Sequence, residues 1–213
     1  MSDVHPRLAA ATRTQLDRWR AALDSGAGRV GWKTALGIEE VEALVGTEPA
    51  LGHLTTASLL VPGGVYAAAR PDRPLHAETE LAVEVGPDGG VAGLAVALEI
   101  VDTGRPPDGL EAIVAANVYH RAVAFGPTVP GARAEGAAAR LLVGGELRET
   151  AAVVADPLAT VNAIERLLAS AGERLEPGER IIAGSACHVP VAPGDAIVAE
   201  IDGLGAVAAT IAP

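Results

Sequence analysis

The chain reads as an α+β fold with a curved or barrel-like mixed sheet. Three observations carry that reading. Apolar residues recur at helical spacing at the front, short apolar runs cut by Gly and Pro fill most of the remainder, and one longer helical pattern comes late. The 213 residues are 49% apolar but only 2% aromatic, so the core must be built from Ala, Val, Leu and Ile. That length fits one structural unit, with 1–60 as an N-terminal helical part and 61–213 as a strand-rich part.

Taken in order, Pro6 to Leu23 has Leu8, Ala11, Leu16, Trp19 and Leu23 on one helical face, and Ser25-Gly26-Ala27-Gly28 ends it. Arg29 to Leu36 predicts a short strand, and Ile38 to Val45 a second helix stopped by Gly46. Leu51 to Leu60 is a loop or short strand closed by Pro62-Gly63-Gly64. LHAETELAVEV (75–85) and VAGLAVALEIV (91–101) predict two strands joined by the turn GPDGG. Leu110, Ile113, Val114 and Val118 have helical spacing, which predicts a helix over 108–125 with Asn117, His120 and Arg121 near one end. Arg140 to Val154 predicts a hairpin around Gly144-Gly145. Asp156-Pro157 starts a helix, with Asp as the N-cap and Pro at the first helical position, and Gly172 stops it. The short strands RIIAGSA, AIVAEIDG and AVAATIA complete the chain.

Three carboxylates stand out against this apolar pattern. Strand side chains alternate faces, so Glu78 and Glu80 project the same way, and Glu99 interrupts a run that otherwise reads as buried on both faces. An unpaired buried carboxylate is costly, so such groups are paired, protonated or bound to a metal. One reading leaves Glu78 and Glu80 on a wet strand face and pairs Glu99 with an arginine. The other gathers all three around a cation, and an all-oxygen set suits Mg²⁺ or Mn²⁺ better than Zn²⁺. Lys33 is a second singular residue. It is the only lysine among 16 Lys and Arg, and lies in RVGWKTALG. Lysine has a compact ammonium whose pKa responds strongly to its surroundings, so Lys33 is a candidate functional residue.

Charge and motifs narrow the function classes. A formal charge of −11, spread along the chain, argues against nucleic acid and anionic membrane as partners. There is no run of 18 uncharged apolar residues and no signal-peptide pattern at the start, and the lone Cys187 fits a reducing cytoplasm. The glycine-rich turns do not open a helix within a βαβ unit, which argues against a dinucleotide site. No nucleophile elbow or Ser/His/Asp order stands out.

An ordered set of motifs then covers most of the chain: GWKTALG (31–37), AETEL (77–81), ALEIVD (97–102), VAAN (114–117), DPLATVNAIERLLASAG (156–172), LEPGERIIAGSACHVPVAPGD (175–195) and IDGLGAV (201–207). In this the chain resembles the fumarylacetoacetate hydrolase superfamily, and within it the 2-keto-4-pentenoate hydratase and 4-oxalocrotonate decarboxylase branch. The resemblance implies a mixed β-sheet roll with N-terminal helices. It also implies Mg²⁺ or Mn²⁺ on Glu78, Glu80 and Glu99, with Lys33 and Ser185 near a bound 2-oxo acid.

The departures from the family pattern are equally specific. Only 18 residues (81–98) separate Glu80 from Glu99, so the family's lid is expected to be missing and the metal pocket open to bulkier 2-oxo acids or diketones, unless the N-terminal helix or a neighbouring subunit covers it. The family's Ala-Asp-Asn becomes Ala115-Ala116-Asn117, and the acidic residues usual near GHLTTAS (52–58) are absent. His53, His120, Cys187 and His188 sit near motif positions, either as replacement acid/base groups or as structural residues. The implied activity is a metal-dependent lyase on a 2-oxo acid or its enol, cytoplasmic and homo-oligomeric. Two alternatives stand beside it. One is a C–C bond hydrolase of acylpyruvate-type diketones, with His53 or His120 activating water. The other is a repurposed non-catalytic member.

Overall fold

A computed structural model describes residues 5–35, 50–68, 73–103 and 109–213. Helix α1 (Pro6–Asp24) opens with the His5 side chain accepting from Arg7 N–H and with Pro at its first turn. The expected helix over 38–45 lies outside the described residues. Two sheets follow. The larger comprises β1 (Arg29–Ala35), β2 (Ala50–Thr55), β3 (Leu59–Leu60), β5 (Leu75–Val85), β6 (Val91–Asp102), β7 (His120–Phe125), β8 (Val129–Pro130) and β11 (Arg180–Val191). Its order is β2-β1-β11-β5-β6-β7-β3, with β8 also on β6. The smaller runs β10-β9-β12-β13-β4 and comprises β4 (Gly64–Tyr66), β9 (Ala138–Val143), β10 (Glu146–Ala152), β12 (Ala196–Ile201) and β13 (Gly205–Ile211). Two further helices are α2 (Leu110–Ala115) and α3 (Pro157–Ser170). The fold is thus the expected α+β, mixed-sheet architecture with an N-terminal helix.

The principal core lies between the sheets and is aliphatic. Leu81, Val83, Val96 and Leu98 from the larger sheet meet Leu141, Ile197, Ala199 and Val207 from the smaller. The scarce aromatics do a different job. Trp19 of α1 packs on Trp32 of β1 with ring centroids 5.0 Å apart, and Arg29 stacks over Trp19. Trp32 donates its indole N–H to Glu179 at 3.1 Å, and Glu179 also accepts from Arg29 at 2.8 Å. The Glu of the Pro-Gly-Glu motif is therefore a buried structural acceptor that ties α1 and β1 to the start of β11.

Two expectations are corrected. The helix over 108–125 is only α2; Asp108 lies outside the described residues. The spacing of Ile113 and Val114 is helical, but HRAVAF is a nearly fully buried strand, and a continuous apolar run does not distinguish the two. The break falls at Asn117, Val118 and Tyr119, whose φ values of 62°, 48° and 63° form one left-handed turn. The second correction concerns RIIAGSA, which is the first part of a 12-residue strand with an irregular register around Gly184 and Ser185.

β1 runs parallel to β11, with Gly31 opposite Arg180. Gly31 has φ 152°, and a Cβ there would lie 1.8 Å from the Arg180 carbonyl oxygen. Gly31→Ala is therefore expected to destabilise the protein by about 3 kcal/mol or more, because backbone must move on both strands. Chemical denaturation checks this; a loss under about 1 kcal/mol would show that the β1–β11 approach is slack.

Candidate metal centre

β5 and β6 form an antiparallel hairpin, in constant register from Leu75 to Glu84 with one shift between Glu84 and Val85, turned at 86–90 by the Gly86 N–H bonding to the Gly90 carbonyl. Glu78 lies directly opposite Glu99, and Glu80 is two residues on along the same face. The residues between Glu80 and Glu99 are used up by the two strands and this turn, so no lid is inserted between them. One oxygen from each of the three carboxylates lies within 4.8 Å of the others. Glu80 and Glu99 are 2% and 0% exposed. Glu80 Oε2 and Glu99 Oε2 are buried with no hydrogen-bond partner.

The other oxygen of Glu99 is fully engaged. Oε1 accepts from Lys33 Nζ at 2.6 Å and from His120 Nδ1 at 2.6 Å. Glu99 thus pairs with a lysine and a histidine rather than an arginine. A carboxylate only accepts, so His120 carries a proton on Nδ1, and its Nε2 is hydrogen-bonded with Ser58 Oγ at 2.8 Å. This clamp leaves Oε2 as the free face of Glu99. Orphaned oxygens are costly in a dry site, and a hard divalent cation is the partner that an all-oxygen set satisfies best. The residues present therefore fit the ion.

Electrostatics follow from burial and mutual proximity. Burial pushes Glu80 well above the usual carboxylate range, reinforced by Glu99 and Glu78 and opposed in part by Lys33. Burial acts the same way on Glu99, but Lys33 and His120 outweigh it and hold Glu99 below its ordinary value. Burial would lower Lys33, yet Glu99, Glu78 and Glu80 together keep it above the ordinary lysine value. Without a cation, then, Lys33 and His120 favour the ionised form of Glu99, while burial and its two neighbouring carboxylates make Glu80 hold a proton more strongly than an ordinary carboxyl.

Lys33 is held from several sides. Its Nζ also donates to the Val118 carbonyl at 3.2 Å, in the middle of the left-handed turn. The Asn117 side chain anchors that turn by pairing with the backbone of His53 in both directions. Oδ1 accepts from His53 N–H at 2.7 Å, and Nδ2 donates to the His53 carbonyl at 2.9 Å. Gln15 of α1 donates to Asn117 Oδ1 at 3.2 Å and to His53 Nδ1 at 2.9 Å. Gly52 lies against the lysine stem, where a Cβ would fall 2.4 Å from Lys33 Cγ. Gln15 and Asn117 were not among the expected site residues. The available signal for Gln15 is a polar residue beside Leu8, Ala11 and Trp19 on the buried face of α1.

A cavity of about 720 Å³ opens beside the carboxylates. Lys33, Glu78, Glu80, Ser185 and His188 line it, whereas His53 and His120 do not. His53 is pushed down to about 4 by burial and by His120, so it is neutral, and its Nδ1 is occupied by Gln15. Ser185 stands opposite Glu80 on β11, with its hydroxyl donating to the Cys187 carbonyl at 2.7 Å. His188 stands opposite Glu78 and bonds it through Nδ1 at 2.7 Å, which raises the histidine above its ordinary value. His76 stacks on His188 at 4.4 Å.

Solved structures similar to this one include enzymes of related architecture. 4-Oxalocrotonate decarboxylase from Pseudomonas putida G7, complexed with magnesium and adipate, superposes with a TM-score of 0.82 at 26% identity, covering 96% of this chain and 86% of that one. Fumarylpyruvate hydrolase from Pseudomonas aeruginosa, complexed with Mn²⁺ and pyruvate, gives 0.58 at 19% identity, covering 87% and 90%. Maleylpyruvate hydrolase from Sphingobium sp. SYK-6 gives 0.58 at 20% identity, covering 96% and 85%. The two hydrolases share the fold. No curated protein sequence matches the chain. Residues 33–212 match the family model for the fumarylacetoacetate (FAA) hydrolase C-terminal region, a span that holds Lys33, all three glutamates and the whole β11 wall, and the chain belongs to that family.

Proposed function

We propose that this chain is a divalent-metal-dependent lyase, of hydratase or decarboxylase type, acting on a 2-oxo acid or its enol. The carrying observation is the three-glutamate cluster, with two buried oxygens lacking any partner, whose Glu78 and Glu80 line a cavity together with a lysine. Glu78, Glu80 and Glu99 would hold Mg²⁺ or Mn²⁺, and the bound ion would supply Lewis-acid stabilisation of enolate charge. Magnesium in the Pseudomonas putida decarboxylase supports this choice of ion.

The chain's own residues do the rest. Lys33 presents its ammonium to the cavity, where it pairs with a substrate carboxylate or moves a proton at Nζ. His120 holds Glu99 in one orientation. Ser185 offers a hydroxyl beside Glu80, and His188 fixes Glu78 from the opposite strand. A hydrolase of acylpyruvate-type diketones needs a base on water. His53 and His120, the candidates for that role, do not line the cavity and are engaged in hydrogen bonds of their own, which favours the lyase reading. Among the described residues no helix is long and apolar enough to cross a membrane. A cytoplasmic homo-oligomer belongs to the same proposal, and sizing by light scattering tests the assembly.

Enolate stabilisation has a direct readout. In D₂O with Mg²⁺, the protein is expected to accelerate exchange of the C3 protons of 2-oxopentanoate, followed by NMR, and chelation of the metal is expected to abolish the effect. A metal-loaded protein that leaves exchange at the protein-free rate overturns the reading.

A further inference from the structure

Most of the cavity's charged side chains lie on one side. Its charged side chains on β1 and β5 surround the carboxylate cluster, while a second wall comes from the end of the β9–β10 hairpin and from α3. That wall presents Val153, Val154, Ala159, Thr160 and Ala163, with Asp156 at the helix start. Residues 156, 159, 160 and 163 follow i, i+3, i+4 and i+7, so a single face of α3 borders the cavity, and it carries only small side chains. Val154 is 90% exposed, an apolar side chain held at the cavity's edge without covering.

We infer that this wall receives an uncharged, extended tail, so that the chain selects 2-oxo monocarboxylates with an apolar chain over 2-oxo dicarboxylates. The inference rests on the proposed function, since the metal end of the cavity orients the acid. Volume supports it: about 720 Å³ is the size of a site that encloses a drug-sized ligand, far more than the smallest 2-oxo acids fill. Charge supports it as well. Lys33 is the only Lys or Arg among the described lining residues, and it is already paired with Glu99. A second carboxylate reaching the α3 wall meets the carboxylate of Asp156, whose Oδ1 is committed to the N–H groups of Leu158 and Ala159. An anion there has the like charge of Asp156 and aliphatic surface for neighbours, with no cation among the described wall residues to offset them. The contrast is with the Pseudomonas putida decarboxylase, which was solved with the dicarboxylate adipate.

Calorimetry on the Mg²⁺-loaded protein tests the inference, with oxalate as the probe of the metal end. Affinity for 2-oxobutanoate, 2-oxohexanoate and 2-oxooctanoate is expected to rise along the series, by up to about fourfold per buried methylene. 2-Oxoadipate is expected to bind about tenfold or more weakly than 2-oxohexanoate, its neutral-tailed counterpart. Ala159→Leu keeps a strong helix former at an exposed position and fills the wall. It is expected to erase the chain-length gain and leave oxalate binding unchanged. Equal or tighter binding of 2-oxoadipate, a flat chain-length series, or an Ala159→Leu variant that keeps the gain overturns the inference while oxalate still binds. Failure of oxalate to bind in the presence of Mg²⁺ strikes the metal-dependent reading itself, and this inference with it.

Discussion

Glu99→Ala is expected to weaken Mg²⁺ and Mn²⁺ binding by at least about 100-fold in calorimetry, the loss of one anionic ligand from a set of three. The position bears more than ligand charge. Glu99 is the shared acceptor of Lys33 and His120, so its removal frees both and undoes the orientation of the cluster. The fold is expected to survive, because Glu78 and Glu80 still lie close enough to the Lys33 ammonium to offset its charge. Glu99→Gln separates the two roles. It keeps the shape, can still accept through its amide oxygen and loses the charge, and it is expected to lose metal affinity nearly as far with a smaller change in stability. Wild-type affinity in both variants would remove the three glutamates as the metal centre.

Lys33 is expected to show the second large effect, and the chemistry of the replacement decides its form. Lys33→Met keeps the stem and removes the charge, leaving Glu99 buried without its cation, a change that costs about 3–5 kcal/mol for a broken buried pair. Metal-dependent turnover is expected to fall by about 100-fold or more, equivalent to about 2.7 kcal/mol of barrier. Lys33→Arg retains charge yet is expected to fail almost as badly. Gly52 is packed against the stem, and the ammonium sits between Glu99 Oε1 and the Val118 carbonyl. The planar guanidinium needs more width than that slot has. Denaturation and steady-state kinetics on both variants check this. Full activity in the arginine variant would show that charge alone matters at this position.

The parts of this molecule that were legible in its sequence are those where one residue type contradicts its neighbours. Glu99 in an aliphatic run, Glu78 and Glu80 at strand spacing, and one lysine among arginines each signal themselves, and the structure brings all four together. Asp156-Pro157 marks the start of α3 because an N-cap and a first-turn proline are local devices that need no tertiary context. The misread segment has the opposite character. HRAVAF has no alternation to expose its strand period, since both faces are buried, and the left-handed turn before it is made by Asn, Val and Tyr rather than glycine. His53 and His120 were recognisable as ionisable groups near motif positions, but their partners are Gln15, Glu99 and Ser58, far away along the chain. Which way a histidine faces is decided by packing, and no local pattern encodes it.

The β5–β6 hairpin carries all three carboxylates, and this joins folding to ligand capture. Strand side chains repeat every second residue, so a slip of the ladder by one position would turn Glu99 to the face opposite Glu78 and Glu80. Correct strand pairing therefore completes the coordination set, since a one-residue slip leaves only Glu78 and Glu80 together. An ion bound by that set recognises only the chain in its native register and adds RT ln(1 + [L]/Kd) to its stability by mass action. Under the proposed metal-dependent reading, metal supply would act as a check on the chain's own strand alignment.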